Sequence, residues 1–244
     1  MKIWTGKRYW LVGASEGLGR ALADVMNRAG IELILSARNE DRLKALAAEL
    51  PGRTSCVPVD VSNLASVKAA AEAAGDIDGV IYLAGVYWPF PAQEWDAEKA
   101  EIMCDVNFTG AARVLGAVMP GMVARKRGHV VIVGSLSGFR GLPGSIGYGS
   151  AKAGLMHLAE SMYADLRRTD IRVQLANPGF IRTRLTDKND FRMPFLMEPE
   201  DAARHVFELM NSDQFKRNFP MVFSWLFRLS QFLPDWAYYR IFGR

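Results

Sequence analysis

Cysteine is scarce in this chain of 244 residues: there are two, Cys56 and Cys104, both in apolar surroundings and neither in a CxxC or Cys/His spacing. That excludes a disulfide framework and a thiolate metal site, so no metal ligands are expected, and a reducing cytoplasm suits the composition. The three histidines, His129, His157 and His205, share no spacing with other ligand types and are expected to be structural or exposed. Excess charge is also small, at +4. It is confined to the end, where Lys216, Arg217, Arg228, Arg240 and Arg244 face Asp235 alone, and the rest is neutral. A nucleic-acid binder carries its basic stripe across the body, so nucleic acid is not an expected partner. No hydrophobic run is read as long enough to span a membrane. Met1 to Trp10 has neither the apolar core nor the cleavage site of a signal peptide. Repeats, low-complexity stretches and Pro/Ser linkers are missing too, which favours one domain.

What is present is a regular alternation. Short aliphatic runs at Tyr9–Val12, Glu32–Ser36, Ser55–Val59, Gly79–Leu83, Gly128–Gly134 and Ile171–Ala176 read as strands. They are continuous rather than alternating, as in strands covered on both faces. Helical stretches at Gly17–Ala29, Asp41–Leu50, Asn63–Ala74, Ala97–Arg125 and Gly147–Thr169 lie between them, and Asp60 to Asn63 offers a cap for the third. The expected fold is α/β, a doubly wound parallel sheet of the Rossmann type flanked by helices.

Three constellations carry chemistry. The first strand runs into Val12-Gly13-Ala14-Ser15-Glu16-Gly17-Leu18-Gly19, which opens a helix. Glycines there permit a tight turn and close approach to a pyrophosphate, whose charge meets the amides of the helix N-terminus. Strand two ends Leu35-Ser36-Ala37-Arg38, with no acid for a ribose 2′-hydroxyl and an Arg suited to a 2′-phosphate, so NADP(H) is the expected cofactor. Glu16 works against this slightly. Last, Ser135 follows strand five and precedes Tyr148-Gly-Ser-Ala-Lys152. Tyr148 and Lys152, at i and i+4, share a helix face. A cation beside the phenol favours its ionised form and moves it toward useful acid–base chemistry, while Ser135 can hold the same substrate oxygen.

These motifs resemble the short-chain dehydrogenase/reductase family over most of the chain, to about Ala203. Gly13, Gly17 and Gly19 are similar to its glycine motif. The resemblance implies that Asp60 and Val61 meet adenine, and that Asn107 anchors a water in a proton relay with Ser135, Tyr148 and Lys152. It also implies that Lys152 holds the nicotinamide ribose. Pro178, Gly179, Ile181 and Thr183 would hold the nicotinamide. The family's NNAG appears as Tyr82-Leu83-Ala84-Gly85, where a local structural change is expected around Ala84 and Gly85. The last strand is hard to find, with Arg217–Phe223 a reduced version.

The reaction implied is reversible hydride transfer between NADP(H) and a carbonyl or secondary alcohol. Alternatives are an epimerase or dehydratase using the same Tyr/Lys pair, and a catalytically silent NADP(H)-binding regulatory or scaffold protein. Homo-oligomers are the family habit. Phe191 and Met193, in a loop at 184–197, with Tyr87 and Trp88, are candidates to line a pocket for a hydrophobic small molecule. The catalytic domain is drawn at 1–213 and an aromatic, basic extension at 214–244. On a helix, Val222, Trp225, Leu226, Leu229 and Leu233 line one face, with Ser224, Arg228 and Gln231 opposite. So wide an apolar arc needs a partner. Three remain open: the protein's own body or a second subunit, an anionic membrane met peripherally on its inner face through 219–242, or a lipophilic substrate under a lid.

Overall fold

A computed structural model of the chain describes residues 3–243. Seven parallel strands form one sheet in the order β3-β2-β1-β4-β5-β6-β7. They are β1 (Arg8–Val12), β2 (Glu32–Ser36), β3 (Thr54–Cys56), β4 (Gly79–Tyr82), β5 (Gly128–Val133), β6 (Ile171–Pro178) and β7 (Lys216–Phe219). Helices α1 (Gly17–Arg28), α2 (Glu40–Glu49) and α7 (Pro199–Asn211) cover one face. The other is covered by α3 (Leu64–Ala74), α5 (Gly110–Ala124) and α6 (Ile146–Leu166).

Alternation along each strand divides the core. Leu11, Leu33, Leu35 and Ile81 face α1 and α7, whereas Trp10, Ile34, Val80 and Ile132 face the α3–α5–α6 layer. Because both faces are covered, neither half of the alternation can be polar, and the strands read as unbroken apolar runs. Asn39 and Asn63 cap α2 and α3, accepting from the amides of Arg42 at 2.9 Å and Ser66 at 3.0 Å.

The chain leaves β1 toward one edge through β2 and β3, then returns to β4 and grows the other way. That reversal opens a crevice beyond the carboxyl ends of β1 and β4, where ligands of open α/β sheets settle.

Several sequence boundaries shift. β3 ends at Cys56, although the amides of Val57 and Val59 go on to bond the Leu35 and Ala37 carbonyls at 2.9 and 3.1 Å. The helix expected over Ala97–Arg125 is α4 (Ala97–Cys104) and α5, joined by a π-helical turn at Asp105–Thr109. This Ala97–Ala124 rod is, by length and composition, apolar enough to cross a membrane, contrary to the reading that no run is. Here Val114, Leu115 and Met122 dock it on the sheet. The last strand is Lys216–Phe219, not Arg217–Phe223, and since it pairs with β6 the boundary drawn at 213/214 falls inside the sheet domain. Beyond it lie two short helices, α8 (Met221–Ser230) and α9 (Asp235–Phe242).

Their orientation is the largest departure from the sequence reading. Ser224, placed there on the polar face, is buried with Phe223, Phe227 and Ser230, while Met221, Val222, Trp225, Leu226 and Leu229 face solvent.

Candidate active site

The glycine loop is shaped by what it touches. Gly13 has φ +103°, and a Cβ there would lie 2.6 Å from the amide nitrogen of Ala84. A Cβ on Gly19 would lie 2.0 Å from the carbonyl oxygen of Gly13. Only glycine lets the β1–α1 turn nest against the chain leaving β4, and the nesting leaves the start of α1 facing the crevice. The resulting cavity, about 570 Å³, is lined by every residue expected to hold the dinucleotide, from Gly13 and Ser15 through Arg38, Asp60 and Ala84 to Pro178 and Thr183.

At the β2 end, Ser36 is buried, accepting from the Trp10 indole at 2.7 Å and donating to the Val57 carbonyl. It has no hydroxyl to spare for a ribose, which leaves the reading of that end to exposed Arg38. Asp60 accepts from the hydroxyl and amide of Ser62, which, with Arg38 and Arg113 nearby, hold its carboxyl below the usual range. Glu16 binds Arg42 at 3.0 Å and Arg184 at 2.5 Å. The three line the same cavity, so the one carboxylate of the glycine loop is more than neutralised. The sequence reading missed both arginines. Arg42 sits in the first turn of α2, close in sequence to Arg38, whereas Arg184 arrives from 168 residues away.

At the other end, α6 presents Tyr148 and Lys152 to the cavity. The Lys152 ammonium lies 5.7 Å from the Tyr148 ring centroid and donates to the Val133 carbonyl at 2.9 Å. Ser135 stands close enough to Tyr148 to favour its ionised form. It also accepts from the hydroxyl of Ser137 at 2.9 Å, which leaves its own proton to donate. Tyr148 is half-buried and lines the cavity. Burial pushes the phenol up to about 12, Ser135 draws it back, and neighbouring Tyr87 adds to the rise. Burial also brings Lys152 down to about 8. The lowering of the phenol expected from Lys152 is therefore not seen here. The ammonium points at a carbonyl, and desolvation dominates both groups.

Asn107 is fully buried in the π turn, with its side chain committed at both ends to Val86, accepting from the amide at 3.0 Å and donating to the carbonyl at 2.9 Å. Its side chain thus ties the helix to the chain after β4. In the π turn the Gly110 amide reaches back to Asp105, which releases the Val106 carbonyl, and the Tyr82 hydroxyl takes it up. Tyr82 opens the altered motif, and this contact ties the motif to the π turn. It requires Gly110, since a Cβ there would lie 2.7 Å from the Tyr82 oxygen.

Tyr87 meets Tyr148 edge-to-face at 5.0 Å between centroids, and its hydroxyl donates to Asn189 at 2.9 Å. Trp88 lies beneath the Lys188 ammonium at 4.3 Å. Phe191 packs on Phe180, and Met193 accepts a contact from Asn189 at 3.2 Å. None of these four lines the cavity, and Tyr87 reaches the site through its contact with Tyr148. Among the described residues, no group of three His, Cys, Asp or Glu is placed to hold a metal ion.

The sheet order and this site together define a class, and comparison with known proteins agrees. Residues 7–192 match the sequence profile described as short chain dehydrogenase. An uncharacterized oxidoreductase of Myxococcus xanthus is 39% identical over 236 residues, covering 92% of each chain. A short-chain dehydrogenase/reductase of Burkholderia phymatum, solved with NAD, superposes with a TM-score of 0.86 at 24% identity over 94% of each chain. One from Sphingobium yanoikuyae, solved with NADPH, gives 0.81 at 25% identity, covering 94% of this chain and 97% of its own. The chain belongs to the short-chain dehydrogenase/reductase family and is an oxidoreductase of that family.

Proposed function

We propose that the protein is an NADP(H)-dependent carbonyl reductase or alcohol dehydrogenase for a hydrophobic small molecule. The observation that carries this is that Tyr148 and Lys152, with Ser135 beside Tyr148, stand at the end of a cavity whose other end is the glycine loop and Arg38. The cavity fits a dinucleotide: its glycines stand where any Cβ would collide, and its far wall carries cations but no ribose-binding acid on β2. A bound nicotinamide would supply or accept the hydride. The amides opening α1 would hold the pyrophosphate, Arg38 the 2′-phosphate, and Lys152 the nicotinamide ribose.

The protein's own contribution is to the proton and to orientation. With its pKa raised, Tyr148 keeps its proton at neutral pH, which is the form required to protonate the oxygen of a carbonyl undergoing reduction. Ser135, polarised by Ser137, donates to that oxygen and holds it against the phenol. Asn107 fixes the π turn against Val86 and supports the water that reprotonates Tyr148. Tyr87 and the 184–197 loop shape an apolar approach to the reacting carbon. No observation in the site favours a silent scaffold, which would have no use for this constellation. Copies of the chain are expected to associate through the α5 and α6 layer, whose outer faces expose Val123 and Tyr163.

The test is NADPH consumption with a panel of apolar ketones and aldehydes, repeated with Tyr148→Phe. Turnover by the parent and its loss in the variant, with cofactor affinity retained, support the assignment. Undiminished turnover in the variant rejects it.

A further inference from the structure

The α8–α9 hairpin turns its apolar side outward and is held that way. Phe223 and Phe227 pack beneath it on Leu136. Arg140 staples the underside, donating to the carbonyls of Ser230 at 2.7 Å and Leu233 at 2.8 Å, pairing with Asp235, and lying 4.0 Å over the Tyr238 ring. The Tyr238 hydroxyl donates to the Gly141 carbonyl at 2.8 Å. These contacts prevent the hairpin from rolling its hydrophobic side inward. What it displays is Phe232 at 85% exposure, Trp236 at 75%, Met221 at 70% and Val222 at 69%, with Trp225 and Leu229 between them. Side chains this apolar and this exposed, gathered within Met221–Trp236, mark a docking face.

Charge selects the occupant. Arg228 lies 4.5 Å over the Trp225 ring at the edge of the face, and Arg240 follows exposed Tyr239. The single acid from Pro220 to Gly243 is Asp235, already bound by Arg140. A second copy apposed through this face would bring arginine toward arginine with no free carboxylate to answer it. An anionic lipid surface matches both features: acyl chains accept the phenylalanine, methionine and valine, the interface accepts tryptophan and tyrosine, and headgroup phosphates accept arginine. At 10 residues, α8 is too short to cross a bilayer and suited to lying in one.

We propose that the protein docks on anionic membranes through the outer side of α8 and α9, with Phe232 and Trp236 inserted and Arg228 and Arg240 at the headgroups. Phe223, on the inner side of the same helix, packs against Phe180 and Phe195, so docking sets the 184–197 loop near the lipid. The inference is independent of the hydride-transfer reading, and its test reads no turnover.

The full chain is floated with phosphatidylcholine vesicles and with phosphatidylcholine–phosphatidylglycerol vesicles. The parent should bind the anionic vesicles about tenfold more strongly than the neutral ones, and added salt should weaken that binding. The double variant Phe232→Ser/Trp236→Ser should lose about tenfold or more of it while keeping the parent's cofactor affinity and sedimentation. Arg228→Gln/Arg240→Gln, which leaves the apolar side chains alone, should abolish the preference for anionic lipid. Failure of the parent to float with anionic vesicles overturns the proposal, as does undiminished flotation of the serine variant. So does a parent dimer that the serine variant dissociates without any lipid binding, which would assign the face to a second copy.

Discussion

The cleft beyond the sheet and the α8–α9 hairpin lie side by side, yet they sort polar and apolar residues in opposite ways. In the cleft, polar groups converge inward on an apolar scaffold: Lys152 and Asn107 are buried, and each has its partner in a backbone group of the chain. In the hairpin, Ser224 and Ser230 lie inside, bonded to carbonyls of their own helix, and the large aromatics lie outside. Burying a polar group is tolerable where a partner waits, so both arrangements are stable. They serve different ends. The cleft spends its geometry on holding a small molecule, and the hairpin presents an apolar surface to something outside the fold.

The contrast can be broken or sharpened by substitution. The largest effect belongs to the cleft, where Tyr148→Phe should lower turnover by about 10²–10⁴-fold, the range for removal of a general acid, with cofactor affinity nearly unchanged. Next comes the inner side of the hairpin. Phe223→Ala should cost about 3–5 kcal/mol in chemical denaturation, as expected for a buried phenylalanine. Arg38→Ala should weaken NADPH binding by about ten- to a hundredfold, the worth of a charged hydrogen bond, while leaving NADH unchanged in a fluorescence titration. Equal loss for both cofactors would remove Arg38 from 2′-phosphate recognition.

A smaller effect comes from Lys152. Its folded pKa, about 8, is below the ordinary 10.5. Between those values the unfolded chain holds a proton that the folded chain has lost, so stability should rise with pH across that window. The parent's denaturation midpoint should climb from pH 8 toward 10 more steeply than that of Lys152→Met. The smallest effect is on the outer side of the hairpin, where Trp236→Ser should change stability by no more than about 0.5 kcal/mol. A cost comparable to that of Phe223→Ala would mean that the outer face is packed after all.

The two regions were also unequally legible in sequence. Gly13, Gly17, Arg38, Tyr148 and Lys152 carry their meaning in spacing, because the strand–turn–helix unit fixes where each side chain goes. The five central strands were legible because two covered faces leave little room for polar residues. The π turn was not, since nothing in Asp105–Thr109 breaks helical periodicity and the Tyr82 hydroxyl that takes up its free carbonyl lies on a strand. The last strand was obscured because Lys216 and Arg217 look solvated, although both pair with acids of neighbouring helices, Glu160 and Glu208. The hairpin was misread in part because periodicity finds an apolar arc but not the direction it faces. Ser224 became an inward residue because its hydroxyl bonds the Met221 carbonyl at 2.8 Å, and no pattern of hydrophobicity contains that contact.

The central claim is that the cleft moves a hydride between a nicotinamide and a carbonyl carbon while Tyr148 moves the proton. It is tested most directly with NADPH deuterated at both C4 positions, an accepted ketone, and mass spectrometry of the alcohol formed. We predict one deuterium on the carbinol carbon with the parent protein, and no labelled alcohol on the same timescale with Tyr148→Phe. An alcohol that carries no deuterium, or labelled product formed equally well by the variant, would contradict the account.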